Sequence, residues 1–411
     1  MSRLVGAAMI GALALALSAC SSSGSSGSPG SATSSEKGGA PSSSSGDTGK
    51  PIIIGAAVAK SGGFELYDNP QIAGMQFAID QINAAGGING RKLKIITSDT
   101  KTDPAQIQSA AQDVLSKGAD VVVTTPDYDF GAPAAIAASK ADKVSLGGAG
   151  APEYALQGLG PLHFNVYQGT PTEGVTLAQF AYNTKHWRHP YLLVDTSIAY
   201  SKSLCTEFEK SWTALAGAGS IVGKDTFVNS DPSVANQVSK VRAASSADFV
   251  VMCSYPPGGA SAIRQLRTAN VNLPILGGAG FDGTFWNKAI PNLSDFYNAA
   301  MASSAGDDTH PAINDFIKNV KFQGSASYAL FGYEIIETLK YGIAKAGTTE
   351  GKALAAAIET MKAASFLVGP TTYSATCHAP VDRPMAMVQV TNGKAKLAGY
   401  ITPTGVPRTA C

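Results

Sequence analysis

The chain has 411 residues and a formal net charge of +1, and only 15% of its residues are charged. This balance excludes the strongly basic surface that nucleic-acid binding requires and the acidic tail that would attract a basic partner. About 360 residues remain after a low-complexity N-terminal region, which is too many for one ordinary core and enough for two lobes.

The N-terminal residues 1–20 predict a lipoprotein signal peptide. Arg3 is the only charge before an apolar run at residues 4–17, which is too short to span a bilayer permanently. The run ends in Leu17-Ser18-Ala19-Cys20, which resembles the lipobox of bacterial lipoproteins, in which the cysteine receives a diacylglyceryl group. The alternative is an ordinary signal peptide with an incidental cysteine.

Residues 21–49 are almost entirely Ser, Gly, Ala, Thr and Pro. Such a segment cannot bury enough apolar surface to offset the entropy of ordering, so we predict a disordered tether. With lipid attached at Cys20, the tether would hold a folded body at the cell membrane, on its extracytoplasmic face.

The first half of the body alternates strands with helices. Apolar residues recur at helical spacing from Ile72 to Ile82, and Asp103 precedes Pro104 where a helix N-cap is expected. Helices are therefore predicted around residues 72–82, at 104–116 and from about 132. Short apolar runs predict buried parallel strands at residues 51–58, 92–97, 120–124 and 144–146.

The same alternation starts again in the second half. Strands are predicted at residues 191–194, 221–227, 249–252 and 274–276. Helices are predicted at residues 202–216, 233–244 and 260–270, then at 328–346 and 352–363. Two further strands, at residues 386–390 and 395–401, end the chain, and this mixed order indicates that the chain crosses between lobes more than once.

The two halves end alike, because Leu-Gly-Gly-Ala-Gly occurs at residues 146–150 and again at 276–280. Alternating strands and helices of this length predict an α/β protein with two doubly wound, Rossmann-like lobes joined by hinge crossovers. We place the first lobe at residues 50–168 plus 300–372 and the second at 169–299 plus 373–411. Each Gly-rich turn follows a strand, and ligands bind at that edge of open α/β sheets.

The sequence contains no pattern that predicts an enzyme, a cofactor or a metal. Residues 278–283 match GxGxxG, but the match follows the fourth strand of the second half, and no clean helix opens at its last glycine. The body has no GxSxG, CxxC or HExxH, and its five histidines are scattered without a paired nucleophile.

Four cysteines remain besides Cys20, and an even number in an exported chain predicts two disulfides. We expect Cys377 to pair with Cys411, because both flank the closing strands. We expect Cys205, early in a helix, to pair with Cys253, which ends a strand of the same lobe.

The opening of the body resembles the leucine/isoleucine/valine-binding family of type I solute-binding proteins. The resemblance is carried by residues 55–62, by Asn-Ala-Ala-Gly-Gly-Ile-Asn-Gly-Arg-Lys at 83–92, and by Asp-Pro-Ala-Gln at 103–106. Weaker matches continue almost to the end of the chain. The resemblance implies a type I periplasmic binding protein fold, a ligand trapped between two lobes, and delivery of that ligand to an ABC permease.

The family's pattern implies a set of ligand-binding positions in this sequence. They lie in the loops at the strand ends and are Tyr67, Asp127, Tyr128, Ala149, Gly150, Tyr200, Tyr255, Ala279 and Asp282. Tyr67, Tyr200 and Tyr255 match the family's aromatic positions. Phe130, Phe281, Phe285 and Trp286 lie nearby, although the last three are also what a buried cover of the second lobe would require.

This chain departs from the family where an amino-acid ligand would be held. Gly150 stands where a hydroxyl is usual, and Ala279 or Gly280 stands where a carboxylate usually holds the ligand's ammonium. Asp127 lies in the loop that binds the ligand's carboxylate and would repel an anion. We therefore expect a small polar, amide, amino-acid-like or aromatic solute, and no tight binding of leucine, isoleucine or valine.

The resemblance favours a monomeric, lipid-anchored receptor for an ABC importer. Two alternatives stay open: a sensor of the same fold that signals to a membrane receptor, and an enzyme on a doubly wound fold. A receptor binds stoichiometrically and closes its lobes, whereas an enzyme turns its ligand over.

Overall fold

A computed structural model describes residues 49–155 and 159–407, which form α/β layers around two sheets. The predicted signal peptide with Cys20, the predicted tether as far as residue 48, and Cys411 lie outside the described residues. Within the described part, no helix is both long enough and apolar enough to cross a membrane.

The first sheet has five parallel strands in the order β2-β1-β3-β4-β5. Its strands are β1 (Ile52–Val58), β2 (Leu93–Asp99), β3 (Val121–Thr124), β4 (Ser145–Gly147) and β5 (His163–Asn165). The helices between them are α1 (Glu65–Ala84), α2 (Pro104–Ser116), α3 (Tyr128–Lys140) and α4 (Pro152–Ala155). Ile54 and Ala57 on β1 pack into different apolar clusters, because helices cover both faces of the sheet.

The second sheet has seven strands in the order β14-β13-β10-β9-β8-β6-β7. The parallel strands are β6 (Pro190–Asp195), β7 (Gly223–Phe227), β8 (Phe249–Cys253), β9 (Ile275–Gly277) and β10 (Phe296–Ala300). A separate antiparallel pair, β11 (Ala364–Phe366) and β12 (Gly369–Thr371), precedes the two antiparallel edge strands, β13 (Met385–Thr391) and β14 (Lys394–Ile401).

Seven further helices complete the described part of the fold: α5 (Gly169–Gln179), α6 (Ala199–Ala216), α7 (Ala235–Ala243), α8 (Gly258–Thr268), α9 (Pro311–Asn319), α10 (Ala326–Ala346) and α11 (Gly351–Glu359). Helices α5 and α6 pack together beside the second sheet, whereas α10 packs on α1. We call the five-stranded sheet with its helices the first lobe and the seven-stranded sheet with its helices the second lobe. The predicted fold class is confirmed, and the lobe boundaries stay a prediction.

Helices α1 and α10 cross with their backbones in direct contact. A Cβ on Gly74 would lie 1.8 Å from the carbonyl oxygen of Ala329, and a Cβ on Gly332 would lie 1.9 Å from that of Gln71. Only glycine fits at such an approach. The crossing carries Tyr328, at the start of α10, to within 4.9 Å of the Tyr67 ring, measured between ring centroids.

A buried ion pair links α10 to the segment between β12 and β13. Arg383 Nη1 lies 2.8 Å from Glu334 Oε2, and Arg383 Nη2 donates to the carbonyl of Val166, which follows β5. Both charged side chains are almost fully buried. Breaking such a pair by removing one partner typically costs about 3–5 kcal/mol, because the other charge stays buried.

Two helices begin earlier than their sequence patterns predict. Helix α1 begins at Glu65 rather than near residue 72 and includes Pro70, and the carbonyl of Leu66 that Pro70 cannot satisfy accepts a hydrogen bond from Ser325 N. Helix α3 begins at Tyr128 rather than near residue 132, because the Asp127 side chain caps it. Strands β5 and β10 and helices α5 and α9 have no counterpart in the prediction.

A disulfide joins Cys205 on α6 to Cys253 at the end of β8, with their Cα atoms 5.6 Å apart. This is the pairing that the sequence predicts for these two residues. The other predicted pairing, of Cys377 with Cys411, stays a prediction because Cys411 lies outside the described residues.

Candidate functional site

The two Gly-rich turns face each other at the carboxyl ends of β4 and β9. Glycine is required at both because side chains press against their backbones. A Cβ on Gly150 would lie 2.4 Å from the Tyr200 ring, and a Cβ on Gly278 would lie 2.2 Å from Glu173 Oε1. The sequence repeat therefore marks the place where the lobes meet.

A cavity of about 20 Å³ lies between these turns and is lined by both lobes. Its lining consists of Phe64, Tyr67, Pro126, Asp127, Gly150, Ile198, Tyr200, Tyr255, Gly280 and Tyr328. Hydrogen bonds join the lobes across the cleft: Tyr67 Oη donates to the Gly280 carbonyl at 3.3 Å, and Ala199 N donates to Asp129 Oδ2 at 2.8 Å. Ser327 N and Oγ also donate to Asp282 Oδ2, at 2.8 Å and 2.6 Å. This volume holds about one water molecule, so a larger solute enters only when the lobes separate.

Aromatic rings form most of the cavity wall. The Phe64 ring centroid lies 5.5 Å from that of Tyr67 and 6.0 Å from that of Tyr255. Tyr67 also meets Tyr328 edge-on. Rings at these separations bury large apolar areas while their hydroxyls remain available for polar contacts.

On the side of the second lobe, Glu173 organises the turn that follows β9. Its Oε1 accepts hydrogen bonds from Ala279 N at 2.6 Å and from Tyr200 Oη at 2.9 Å, and its Oε2 accepts one from Tyr167 Oη at 2.8 Å. The side chain is fully buried. Burial raises the pKa of Glu173 to about 7, although these three hydrogen bonds lower it.

On the side of the first lobe, two carboxyls lie together at the start of α3. Asp127 Oδ1 accepts from Phe130 N at 3.2 Å, and Asp68 Oδ2 accepts from Thr125 Oγ1 at 3.0 Å and from Ala59 N at 2.8 Å. Burial, followed by the charge of Asp129, raises the pKa of Asp127 to about 7. Burial also raises the pKa of Asp68, and Asp68 Oδ1 is buried without a hydrogen-bond partner.

Five of the residues predicted from the sequence line this cavity: Tyr67, Asp127, Gly150, Tyr200 and Tyr255. They come from five separate loops and helix starts, which the two sheets bring to one place. Of these, Tyr67 lies on the first turn of α1 and not in a loop.

Four other predicted positions do not line the cavity. Tyr128 packs against the buried cluster that contains Ala149, and the backbone of Ala149 is bonded to Asn165. Ala279 faces Glu173 through its N–H, and Asp282 Oδ2 accepts from Ser327 N and Oγ at the start of α10. Each position follows a strand end, as predicted, but the polar groups of Ala149, Ala279 and Asp282 are bonded within the protein.

Of the aromatic residues after β9, two are buried in the core of the second lobe and one lies beside the cavity residue Tyr67. Phe281 and Trp286 are buried in the core of the second lobe, with ring centroids 5.1 Å apart. Phe285 lies beside Tyr67 at 6.2 Å and lines a separate, mostly apolar groove of about 450 Å³. Phe130 packs on Phe64 at 4.7 Å.

Sequence reasoning missed Phe64, Tyr328 and Glu173. Tyr328 reaches the cavity only through the crossing of α10 over α1, which no local pattern reveals. Glu173 did leave a signal, because it is the only Asp, Glu, Lys or Arg between Glu153 and Lys185. A single charge in such a long neutral stretch is a candidate for a buried polar role.

The geometry suits reversible capture of a small molecule. Within the described residues, no group of His, Cys, Asp and Glu is arranged to hold a metal ion. The GxGxxG match lies in a short turn and a 3₁₀ segment after β9, where its glycines let Tyr200 and Tyr255 approach the backbone.

Comparison with known proteins gives the same architecture. A family model described as periplasmic binding protein matches residues 51–395. The Leu/Ile/Val-binding protein BraC3 of Rhizobium johnstonii is 28% identical over 79% of this chain and 88% of its own length. A leucine-, isoleucine-, valine-, threonine- and alanine-binding protein of Pseudomonas aeruginosa is 26% identical over 75% of this chain and 82% of its own length.

Solved structures show the same fold at lower identity. The branched-chain amino acid transporter substrate-binding protein LivJ of Streptococcus pneumoniae, in complex with isoleucine, aligns with a TM-score of 0.75 at 22% identity, over 86% of this chain and all of that one. An ABC transporter solute-binding protein of Rhodopseudomonas palustris, in complex with benzoate, aligns with a TM-score of 0.72 at 19% identity, over 88% and 99%.

Proposed function

Since the chain belongs to the periplasmic binding protein family, we propose that it is a receptor that captures a small solute between its lobes and delivers it to an ABC importer. The observation that carries this proposal is the cavity between the two Gly-rich turns, which takes lining residues from both lobes. A site divided in this way couples occupancy to lobe closure, and the closed shape is what a membrane partner can recognise.

The lobe contacts support such a cycle. Opening would break the hydrogen bonds that join the lobes across the cleft, from Tyr67 to Gly280, from Ala199 to Asp129 and from Ser327 to Asp282. By contrast, the Arg383–Glu334 pair and the α1–α10 crossing are buried and would stay intact. The buried pair of Arg383 and Glu334, which we call the hinge side, therefore stays intact while the hydrogen bonds at the cleft break.

The relatives are named for leucine, isoleucine and valine, but we propose a different solute for this chain. Asp127 places a carboxyl of the protein at the start of α3, and Ala279 and Gly280 offer no carboxylate to an ammonium group. Each missing charged hydrogen bond is worth about 1.5–3 kcal/mol, so losing two weakens amino-acid binding by orders of magnitude. Calorimetry with leucine should therefore show no submicromolar binding.

The receptor role is tested by binding and uptake together. Thermal-shift screening of the full chain against amino acids, amides, polyols, amines and aromatic acids should identify a solute that binds without turnover. X-ray scattering should then show contraction on binding, and deletion of the gene should abolish uptake of that solute. Turnover would instead support an enzyme, and intact uptake with a lost cellular response would support a sensor.

We also propose that the protein is anchored to the extracytoplasmic face of the membrane through lipid on Cys20. The support is the Leu-Ser-Ala-Cys sequence followed by the Ser/Gly-rich segment. Mass spectrometry of membrane-extracted protein should find a diacylglyceryl-modified N-terminal Cys20, and Cys20→Ala should release or misprocess the protein. An unlipidated mature N-terminus at another residue would refute the anchor.

A further inference from the structure

Two of the hydrogen-bond donors that could hold an anion in this cleft are already used by the protein's own carboxyls. At the start of α3, Phe130 N donates to Asp127, and the Thr125 hydroxyl donates to Asp68. Backbone N–H groups at a helix N-terminus are the usual anion site, and here an internal carboxyl occupies that position. A carboxylate ligand would meet two buried acids instead of free donors.

The hydroxyl protons of two lining tyrosines, Tyr67 and Tyr200, are likewise used in hydrogen bonds within the protein. Tyr200 Oη donates to Glu173 and accepts from Gly280 N, while Tyr67 Oη donates to the Gly280 carbonyl. A phenol has a single proton, so Tyr200 offers a solute only acceptor lone pairs, and Tyr67 does so for as long as its hydrogen bond to Gly280 persists. Glu173 thus fixes the direction in which the Tyr200 hydroxyl donates its proton, although Glu173 does not line the cavity.

The charge around the cavity has one sign. Among the described residues that line it, Asp127 is the one carboxylic acid, and no lysine, arginine or histidine is present. Asp68 lies behind the wall with a buried, unpartnered Oδ1, and Glu173 lies behind Tyr200. Buried acids without a positive partner are costly, and a positively charged guest would offset that cost.

The aromatic lining complements this charge. Phe64, Tyr67, Tyr200, Tyr255 and Tyr328 surround the cavity. The faces of such rings attract cations by about 0.5–2 kcal/mol each, more when water is excluded. Acceptor oxygens, carboxyls and ring faces together form a lining that recognises positive charge.

We propose that the solute of this receptor is a small organic cation without a carboxylate, such as an alkyl- or arylammonium, held by the aromatic rings and by Asp127. This inference rests on the proposed receptor function and specifies its substrate class. It differs from the zwitterionic amino acids for which the relatives are named.

Calorimetry and thermal shift on the full chain test the inference with matched probes. The cations are methylammonium, butylammonium, choline and benzylammonium. The counterparts are neutral butanamide, anionic butanoate and benzoate, and zwitterionic leucine. At least one cation should raise the melting temperature and bind at least tenfold more tightly than every counterpart.

Asp127→Asn removes the charge but keeps the helix cap, because asparagine is as good an N-cap as aspartate. It should weaken binding of the best cation of the four at least tenfold. Asp103→Asn is the matched control, since Asp103 caps α2 in the same way but does not line the cavity, and the affinity of this variant should stay within twofold of the parent.

Three results would overturn the inference: no binding by any of the four cations, tighter binding of butanoate, benzoate or leucine, or full cation affinity in Asp127→Asn. If an anion or leucine binds and the cations do not, the receptor function stands and only the cation class is wrong. If nothing in the wider solute screen binds either, the receptor function falls as well.

Discussion

Buried acids occur in two regions of this molecule with opposite arrangements. On the hinge side, Glu334 is fully buried and Arg383 lies 2.8 Å from it. In the cleft, Asp127, Asp68 and Glu173 are equally buried, and they accept hydrogen bonds from backbone N–H groups and hydroxyls, with no positive charge among these donors. The hinge side neutralises its charge internally, whereas the cleft does not.

The difference separates a structural acid from a functional one. Burial raises the pKa of Glu334, but the charge of Arg383 and its hydrogen bond act against that rise. For Asp127 the charged neighbour is Asp129, which raises the pKa further. An acid destabilised in this way by its surroundings is a candidate for ligand binding, since a ligand can supply the missing positive charge.

The largest expected effect comes from breaking the hinge-side pair. Arg383→Met should lower the free energy of unfolding by about 3–5 kcal/mol, because Glu334 would stay buried without its partner. Urea unfolding followed by circular dichroism measures this loss.

A double variant sharpens that result. Adding Glu334→Leu to Arg383→Met removes the stranded charge and should restore most of the lost stability. Lys394→Met is the control, since Lys394 is an exposed residue at the start of β14, and it should change stability by less than about 0.5 kcal/mol. Equal instability in the single and double variants would show that Arg383 acts through packing and not through charge.

The next effect concerns the aromatic wall of the cleft. Tyr255→Ala should raise the dissociation constant of benzylammonium at least tenfold, because a half-buried ring that contacts the solute contributes area and cation attraction. Its stability should fall by only about 1 kcal/mol, since the ring lies at the cleft and not in a core.

Tyr341→Ala is the matched control for this variant. Tyr341 is a half-buried tyrosine on α10 whose hydroxyl contacts Thr360, outside the cavity lining. Its loss should leave the affinity for benzylammonium within twofold. Unchanged affinity in Tyr255→Ala would place the solute elsewhere.

The sequence revealed the fold more fully than the site. Buried parallel strands can be predicted from continuous apolar runs such as residues 51–58, and Asp103-Pro104 directly indicates a helix start. Strand β5 and helix α5 escaped prediction because His163–Asn165 is short and α5 is buried along nearly its whole length, which leaves no amphipathic period.

The site was only partly predictable, because its chemistry depends on long-range placement. Tyr67, Tyr200 and Tyr255 follow strand ends and were predicted because they match the aromatic positions that the family resemblance implies there. Tyr328 could not, since it depends on the glycine-mediated crossing of α1 and α10. Asp282 looked equally suitable in sequence, but its carboxylate binds Ser327 and holds the start of α10.

The smallest expected effect is a pH dependence that separates the two regions. The pKa values of Asp127 and Glu173 are raised to about 7 by burial, against ordinary values near 4 in an unfolded chain. Between pH 8 and pH 6 the folded protein therefore binds more protons than the unfolded protein, so stability should rise as the pH falls, by about 1 kcal/mol per group.

Other groups titrate in this window, so the comparison must be made between variants at each pH. Burial and the charge of Glu334 raise the pKa of Glu337 to about 7, which acts in the same direction. Burial, and then the charge of His378, lowers the pKa of His163 to about 3, so His163 acts oppositely below its unfolded value near 6.5. These contributions are common to the parent and to Asp127→Asn.

Urea unfolding of the parent and of Asp127→Asn at pH 6, 7 and 8 then isolates one carboxyl of the cleft. The parent should gain about 1 kcal/mol more than the variant between pH 8 and pH 6, because only the parent has Asp127 to protonate. Saturating benzylammonium should reduce that difference, since a cation holds Asp127 ionised and lowers its pKa. Identical pH slopes in parent and variant would mean that Asp127 is already neutralised, and the contrast between hinge and cleft would then be lost.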